Sequence, residues 1–230
     1  MDLNGPTILI AFLSGILPAV FWLWFWLKED RHPEPKGLII LSFVLGMFAV
    51  PAVIPFEKLA FGLITNSLVL MIVWAFIEEL FKYLVAYISV LRRKEDDEPI
   101  DPVIYMITVA LGFSALENTF FLFNPLINEG FVGALLTGNM RFIGATVLHT
   151  VSSAMIGLFM GLSFYRNKKV KKSYFYFGFF LAVLLHTLFN FFIINGKGEA
   201  LISVFVGVWV LAIILLVMFE VIKKIRKPNY

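Results

Sequence analysis

Seven apolar runs divide the chain: Pro6–Leu27, Gly37–Pro55, Leu68–Leu91, Val103–Phe123, Arg141–Phe164, Tyr174–Ile194 and Ala200–Ile222. Each is about 19–24 residues long, enough at 1.5 Å rise per residue to cross a hydrocarbon core of about 30 Å. Composition agrees, with 60% hydrophobic residues, 26 Phe and a mean hydropathy of +0.89 over 230 residues. The expected fold is therefore all-α, a polytopic membrane helix bundle of about seven transmembrane helices. No internal repeat or low-complexity tract breaks it, so residues 1–230 read as a single transmembrane helical domain. The first run has Asp2 before it and no basic segment, and reads as an uncleaved helix rather than a signal peptide. Pro18 and Pro51 fall inside the first two runs, where they are expected to bend them. With no cysteine, disulfides and thiolate metal sites are excluded.

The loops set the orientation. The stretches 28–36, 92–102, 165–173 and 223–230 hold 15 of the 19 Lys and Arg residues. The opposite side holds only Lys58, Arg141 and Lys197, and Lys82 lies within a run. This bias predicts an N-terminus outside and a C-terminus in the cytoplasm, in a multi-pass protein of the cell (inner) membrane. The net charge of +3 is thereby assigned to topology and the lipid bilayer, and no nucleic-acid partner is expected. The outer connection "NPLINEGFVGALLTGNM" (124–140) is long, apolar and Gly-rich. It reads either as an interfacial or re-entrant segment or as an irregular loop.

The third run contains "WAFIEELFKYL" (74–84), which places Glu78, Glu79 and Lys82 in the membrane. A central charge costs about 2.5–3.5 kcal/mol on insertion scales, so three unpaired charges would cost on the order of 8–10 kcal/mol. They are not expected to face lipid. Glu79 and Glu78 stand three and four residues from Lys82, so either carboxylate can reach the ammonium. They project about 100° apart, so Lys82 need not occupy both. One Glu–Lys pair would leave the other carboxyl able to accept and return a proton. Other interior polar residues are Glu117 with Asn118, His149, and His186 with Asn190, the last two on one helical face. The bland alternative is interhelical hydrogen bonding. Depth favours function. Glu78 lies ~15 Å from the outer end of its run, Glu117 ~9 Å, and His149 and His186 ~12 Å each. Four helices thus place ionisable groups at similar depth in the outer half, as one polar cavity open to the outside would require.

The motifs narrow the chemistry. HExxH is absent, no aspartate lies well inside a run, and "GFSA" (112–115) lacks the last glycine of a GxSG serine motif. What remains is a Glu, His and Asn set that can activate water without a nucleophilic side chain. At these residues the chain resembles the PrsW family of intramembrane proteases, itself related to the type II CAAX prenyl endopeptidases and bacteriocin-processing proteases. EExxK appears as Glu78 to Lys82, FxxxE as Phe113 to Glu117 followed by Asn118, R…H as Arg141 and His149, and HxxxN as His186 to Asn190. "DRHPEPK" (30–36) resembles the family's acidic-proline segment. The motifs run in order over residues 30–190. Relatives elsewhere in the superfamily carry EExxxR and FxxxH, so Lys82 and Glu117 point to PrsW.

The resemblance implies an intramembrane endopeptidase that cuts a single-span or otherwise membrane-anchored protein near its extracytoplasmic side, such as an anti-sigma factor. By analogy, Glu78 would be the general base for water, assisted by His149. Glu79 and Lys82 would tune that base, and His186 with Asn190 would stabilise the oxyanion. Glu117, which replaces a histidine of relatives, would orient His149 or, with a metal, act as a ligand. No cofactor is called for by this reading, although two histidines and three glutamates are a donor set that permits zinc. Two alternatives stay open: a catalytically inactive scaffold subunit of the same superfamily, and a proton-coupled transporter.

Overall fold

The computed structural model describes residues 5–30, 32–195 and 199–227. It is an all-helical bundle. The helices are α1 (Gly5–Leu27), α2 (Lys36–Leu63), α3 (Ser67–Ser89), α4 (Asp101–Asn128), α5 (Gly130–Met140), α6 (Thr146–Leu162), α7 (Lys168–Asn195) and α8 (Glu199–Ile222). A π-helical turn, Arg141–Ala145, joins α5 to α6, so Gly130–Leu162 is one continuous helical rod. Six of the resulting helices are long and apolar enough to cross a membrane on length and composition alone. The seventh is α3, which has the length but carries Glu78, Glu79 and Lys82. The expected bundle of about seven spans is therefore what the chain forms.

α4 is the axis of the bundle. Every residue from Asp101 to Ala115 is buried, which leaves no polar face of its own. A helix apolar all round belongs inside a bundle, and α1, α2 and α6 pack around this one. Small residues bring the backbones together. A Cβ on Gly112 would run into the backbone carbonyl of Phe43, and one on Gly46 into that of Val109. These two glycines let α2 and α4 cross at backbone contact, the usual route to tight packing where lipid removes any hydrophobic drive between helices. α3 starts where Asn66 caps it, its side chain accepting from Val69 N–H at 3.0 Å. On the opposite side, Asp101 accepts from the N–H groups of Asp97 (2.8 Å) and Glu98 (2.6 Å) and closes the turn into α4.

Three boundaries differ from the sequence reading. α2 does not stop near Pro55 but continues through Pro51 and Pro55 to Leu63, so Glu57 and Lys58 are helical. The connection from α2 to α3 shrinks to residues 64–66. The 124–140 segment is not an irregular loop. α4 runs on to Asn128 and α5 begins at Gly130, the only described residue at positive φ (75°), with Phe131, Val132, Leu135 and Leu136 exposed along it. The irregular-loop alternative is thereby excluded, and α5 runs on into the spanning helix that follows it. α7 also begins earlier than expected, at Lys168 within the basic stretch.

Candidate active site

Four helices bring the interior polar residues together. α3 supplies Glu78, Glu79 and Lys82, α4 supplies Glu117 and Asn118, α6 supplies His149 and α7 supplies His186. Glu79 and Lys82 are fully buried, and Glu78, His149 and His186 are nearly so. Lys82 Nζ donates to Glu79 Oε1 at 2.8 Å and stands 3.6 Å from Glu78 Oε2. Both carboxylates do reach the ammonium, and Glu79 holds the hydrogen bond. Lys82 Nζ also lies 4.3 Å from the Phe113 ring centroid, a further favourable contact for a buried cation.

Each histidine is held at one ring nitrogen by a glutamate. His186 Nδ1 lies 2.9 Å from Glu79 Oε1, and His149 Nε2 lies 3.0 Å from Glu117 Oε2. A carboxylate only accepts, so both of these nitrogens carry the proton. The lone pairs are therefore on His186 Nε2 and His149 Nδ1, and both atoms face Glu78 Oε2, at 3.7 and 4.0 Å. The two glutamates are themselves tied down. Ser153 Oγ donates to Glu79 Oε2 at 2.7 Å. Arg141 Nη2 donates to Glu117, and Arg141 Nε to Asn118. Asn118 in turn donates to Thr146 Oγ1 at 2.9 Å. The Arg141 guanidinium lies 3.8 Å from the Phe121 ring.

Glu78 is the exception. Its Oε2 is buried and accepts no hydrogen bond, although three nitrogens surround it at 3.6–4.0 Å. One ligand atom from each of Glu78, His149 and His186 can be chosen so that all lie within 4.8 Å of one another. Tetrahedral zinc with ligands at about 2.0–2.1 Å spaces its donors by roughly 3.4 Å. Two imidazoles and a carboxylate are a common catalytic zinc set, and a second imidazole nitrogen resting on a carboxylate is its usual support. The residues fit such an ion. One contact opposes it: Lys82 Nζ donates to His149 Nδ1 at 2.9 Å, the same lone pair a metal would take.

Asn190 lies one turn from His186 on α7, half-buried, and no described residue hydrogen-bonds its side chain. The sequence reading named Arg141 only as part of a motif and missed Ser153. Nothing in their local spacing reveals them, because their partners lie 24 and 74 residues away.

A bundle of long apolar helices around a buried carboxylate–imidazole centre defines a polytopic membrane protein with a polar site inside its helices. A model of the PrsW family of intramembrane metalloproteases matches residues 34–218, and the chain belongs to that family. Protease PrsW of Geobacillus kaustophilus is 27% identical over 79% of this chain and 78% of its own length. Protease PrsW of Clostridioides difficile is 27% identical over 87% and 86%, and that of Bacillus subtilis 27% over 77% and 80%. No solved structure matches. The chain is thus an intramembrane protease, a multi-pass protein of the cell membrane acting on membrane-embedded protein. These relatives are named as proteases, not as scaffolds or transporters.

Proposed function

We propose that the chain hydrolyses a peptide bond of a single-span protein near the extracytoplasmic side, as in the first cut of an anti-sigma factor, and that Glu78, His149 and His186 form its centre. The supporting observation is Glu78 Oε2, buried, without a hydrogen bond, and faced by the lone pairs of two histidines whose other nitrogens are fixed. Glu78, His149 and His186 would hold a divalent ion such as zinc. Such an ion lowers the pKa of bound water towards 7 and polarises the scissile carbonyl.

The chain's own residues do the rest. Glu78 would hold the ion through one carboxylate oxygen, and its other oxygen takes the proton of the attacking water and returns it to the leaving amine nitrogen. Glu79 orients His186 and Glu117 orients His149, each keeping the imidazole lone pair on the reacting side. Lys82 balances the charge of the two α3 glutamates. His186 has both ring nitrogens committed within the cluster, so the oxyanion donor role expected of the pair passes to Asn190, whose amide N–H groups no described residue engages.

A second reading rests on the Lys82–His149 contact. With His149 Nδ1 occupied by the ammonium, Glu78 would activate water with no metal. The test is reconstitution in liposomes with a single-span anti-sigma-type reporter. Cleavage that stops with a chelator and returns with zinc supports the metal reading. Cleavage that persists in metal-free protein supports the second. No cleavage of any single-span reporter would sink both.

A further inference from the structure

α8 rests on α6 and touches α7 only lightly. A cleft of about 440 Å³ lies between α7 and α8 with α6 as its floor. Its walls are almost wholly apolar, and Leu148 and Ser152 on α6 and Leu185 and Phe189 on α7 line it. These residues share helical turns with His149, His186 and Asn190. The cleft therefore sits at the depth of the catalytic cluster, flanking the helix pair that carries both histidines.

We propose that this cleft receives the transmembrane helix of the substrate. The proposal rests on the protease reading above and adds where the substrate is held. Three features select a peptide over a lipid chain. Gly207 faces the cleft, and a Cβ there would meet nothing within 4 Å, so another backbone can approach α8 closely. Ser152 Oγ, three residues after His149, is buried in the floor and has no hydrogen-bond partner. An acyl chain cannot satisfy a hydroxyl, whereas a helix that frays for cleavage presents free carbonyls and N–H groups. The cleft is also tied to the site at its outer end. Phe205 of α8 stands 6.5 Å from the Phe189 ring and packs against Gly144, in the same π-helical turn as Arg141. π-helical turns recur at functional positions.

The chain has no cysteine, so cross-linking can be done without background. Val204→Cys places a thiol in the cleft, and Val206→Cys places one two residues away on the exposed face of α8. Both are made in Glu78→Gln protein, in liposomes, against the single-span reporter with cysteines through the outer half of its span. Val204→Cys should form the mixed disulfide about tenfold faster than Val206→Cys, the factor that 1.4 kcal/mol of helix packing gives. Gly207→Leu, which fills the cleft, should abolish that preference and, in otherwise unchanged protein, raise KM for the reporter with little change in kcat. Equal rates at the two positions overturn the proposal. So does a Val204–Val204 dimer in place of the mixed disulfide, which would make a second copy the occupant, or no adduct at all, which would leave the cleft to lipid. Cross-linking through Val204 with no cleavage by the unmodified chain keeps the docking site and removes the protease reading. Cleavage without that preference does the reverse.

Discussion

Lys82→Met isolates the charge balance of the cluster. The ammonium is fully buried, hydrogen-bonded to Glu79 at 2.8 Å and to His149 at 2.9 Å, 3.6 Å from Glu78 and 4.3 Å from the Phe113 ring. Methionine keeps the volume and removes the charge. Glu79 retains Ser153 and His186, but no full positive charge then touches either α3 glutamate. Removing one partner of a buried ion pair costs about 3–5 kcal/mol. At 2–4 °C per kcal/mol for a chain of this size, the apparent Tm should fall by roughly 6–20 °C. The five tryptophans give the signal for thermal unfolding in detergent micelles. Zinc should restore much of the loss, because a divalent cation beside Glu78 replaces the missing charge and His149 Nδ1 is no longer contested. A Tm within 2 °C of the unmodified chain would refute the ion-pair account of Lys82. A large loss that zinc leaves untouched would refute metal binding at these residues.

Other expectations are simpler to test. Glu117→Gln should weaken zinc binding by about 10–100-fold in a competition titration, because His149 loses the carboxylate that fixes its tautomer; unchanged affinity would remove Glu117 from the site. Gly112→Ala should cost at least about 1–3 kcal/mol and lower membrane yield, since its Cβ meets the Phe43 backbone. Gly62→Ala, where nothing lies within 4 Å, should be neutral or stabilise by up to about 1 kcal/mol. Asp96 lies in the turn before α4, outside the spanning helices, and burial reinforced by the charge of Asp101 pushes its carboxyl up from 3.8 to about 7. The folded chain then keeps a proton that the unfolded chain has lost. This contribution is full below about pH 4 and fades as pH rises through 7. Asp96→Asn should flatten the decline of Tm over that window, and an unchanged slope would contradict the assignment.

The spans were legible because their cause is local: a run of about 20 apolar residues in lipid has few choices but a helix. The ends were less so. Pro51, Pro55, Glu57 and Lys58 look like a terminus, yet α2 continues to Leu63 with Trp74 of α3 donating to the Glu57 carbonyl at 3.1 Å. The three glycines of 130–138 left an irregular loop open beside an interfacial or re-entrant segment, and α5 is helical through them. Within the cluster, the spacing of Glu78, Glu79 and Lys82 on one helix announced an ion pair, but not that Glu79 is the partner at 2.8 Å. That choice is made by Ser153 and His186, which approach Glu79 from α6 and α7. Contacts between helices far apart in sequence leave no periodic trace. For the same reason Glu117 could be read either as a ligand or as a support, whereas its contacts with His149 and Arg141 favour support.

The central claim is that Glu78 is the group that handles water. Glu78→Gln keeps the shape of the side chain and removes its charge and basicity. The variant should be compared with the unmodified chain at equal protein per liposome, with cleavage of the single-span reporter read by mass spectrometry. Cleavage should be abolished while membrane yield and Tm stay close to those of the unmodified chain. Full cleavage by the Gln variant would contradict the account.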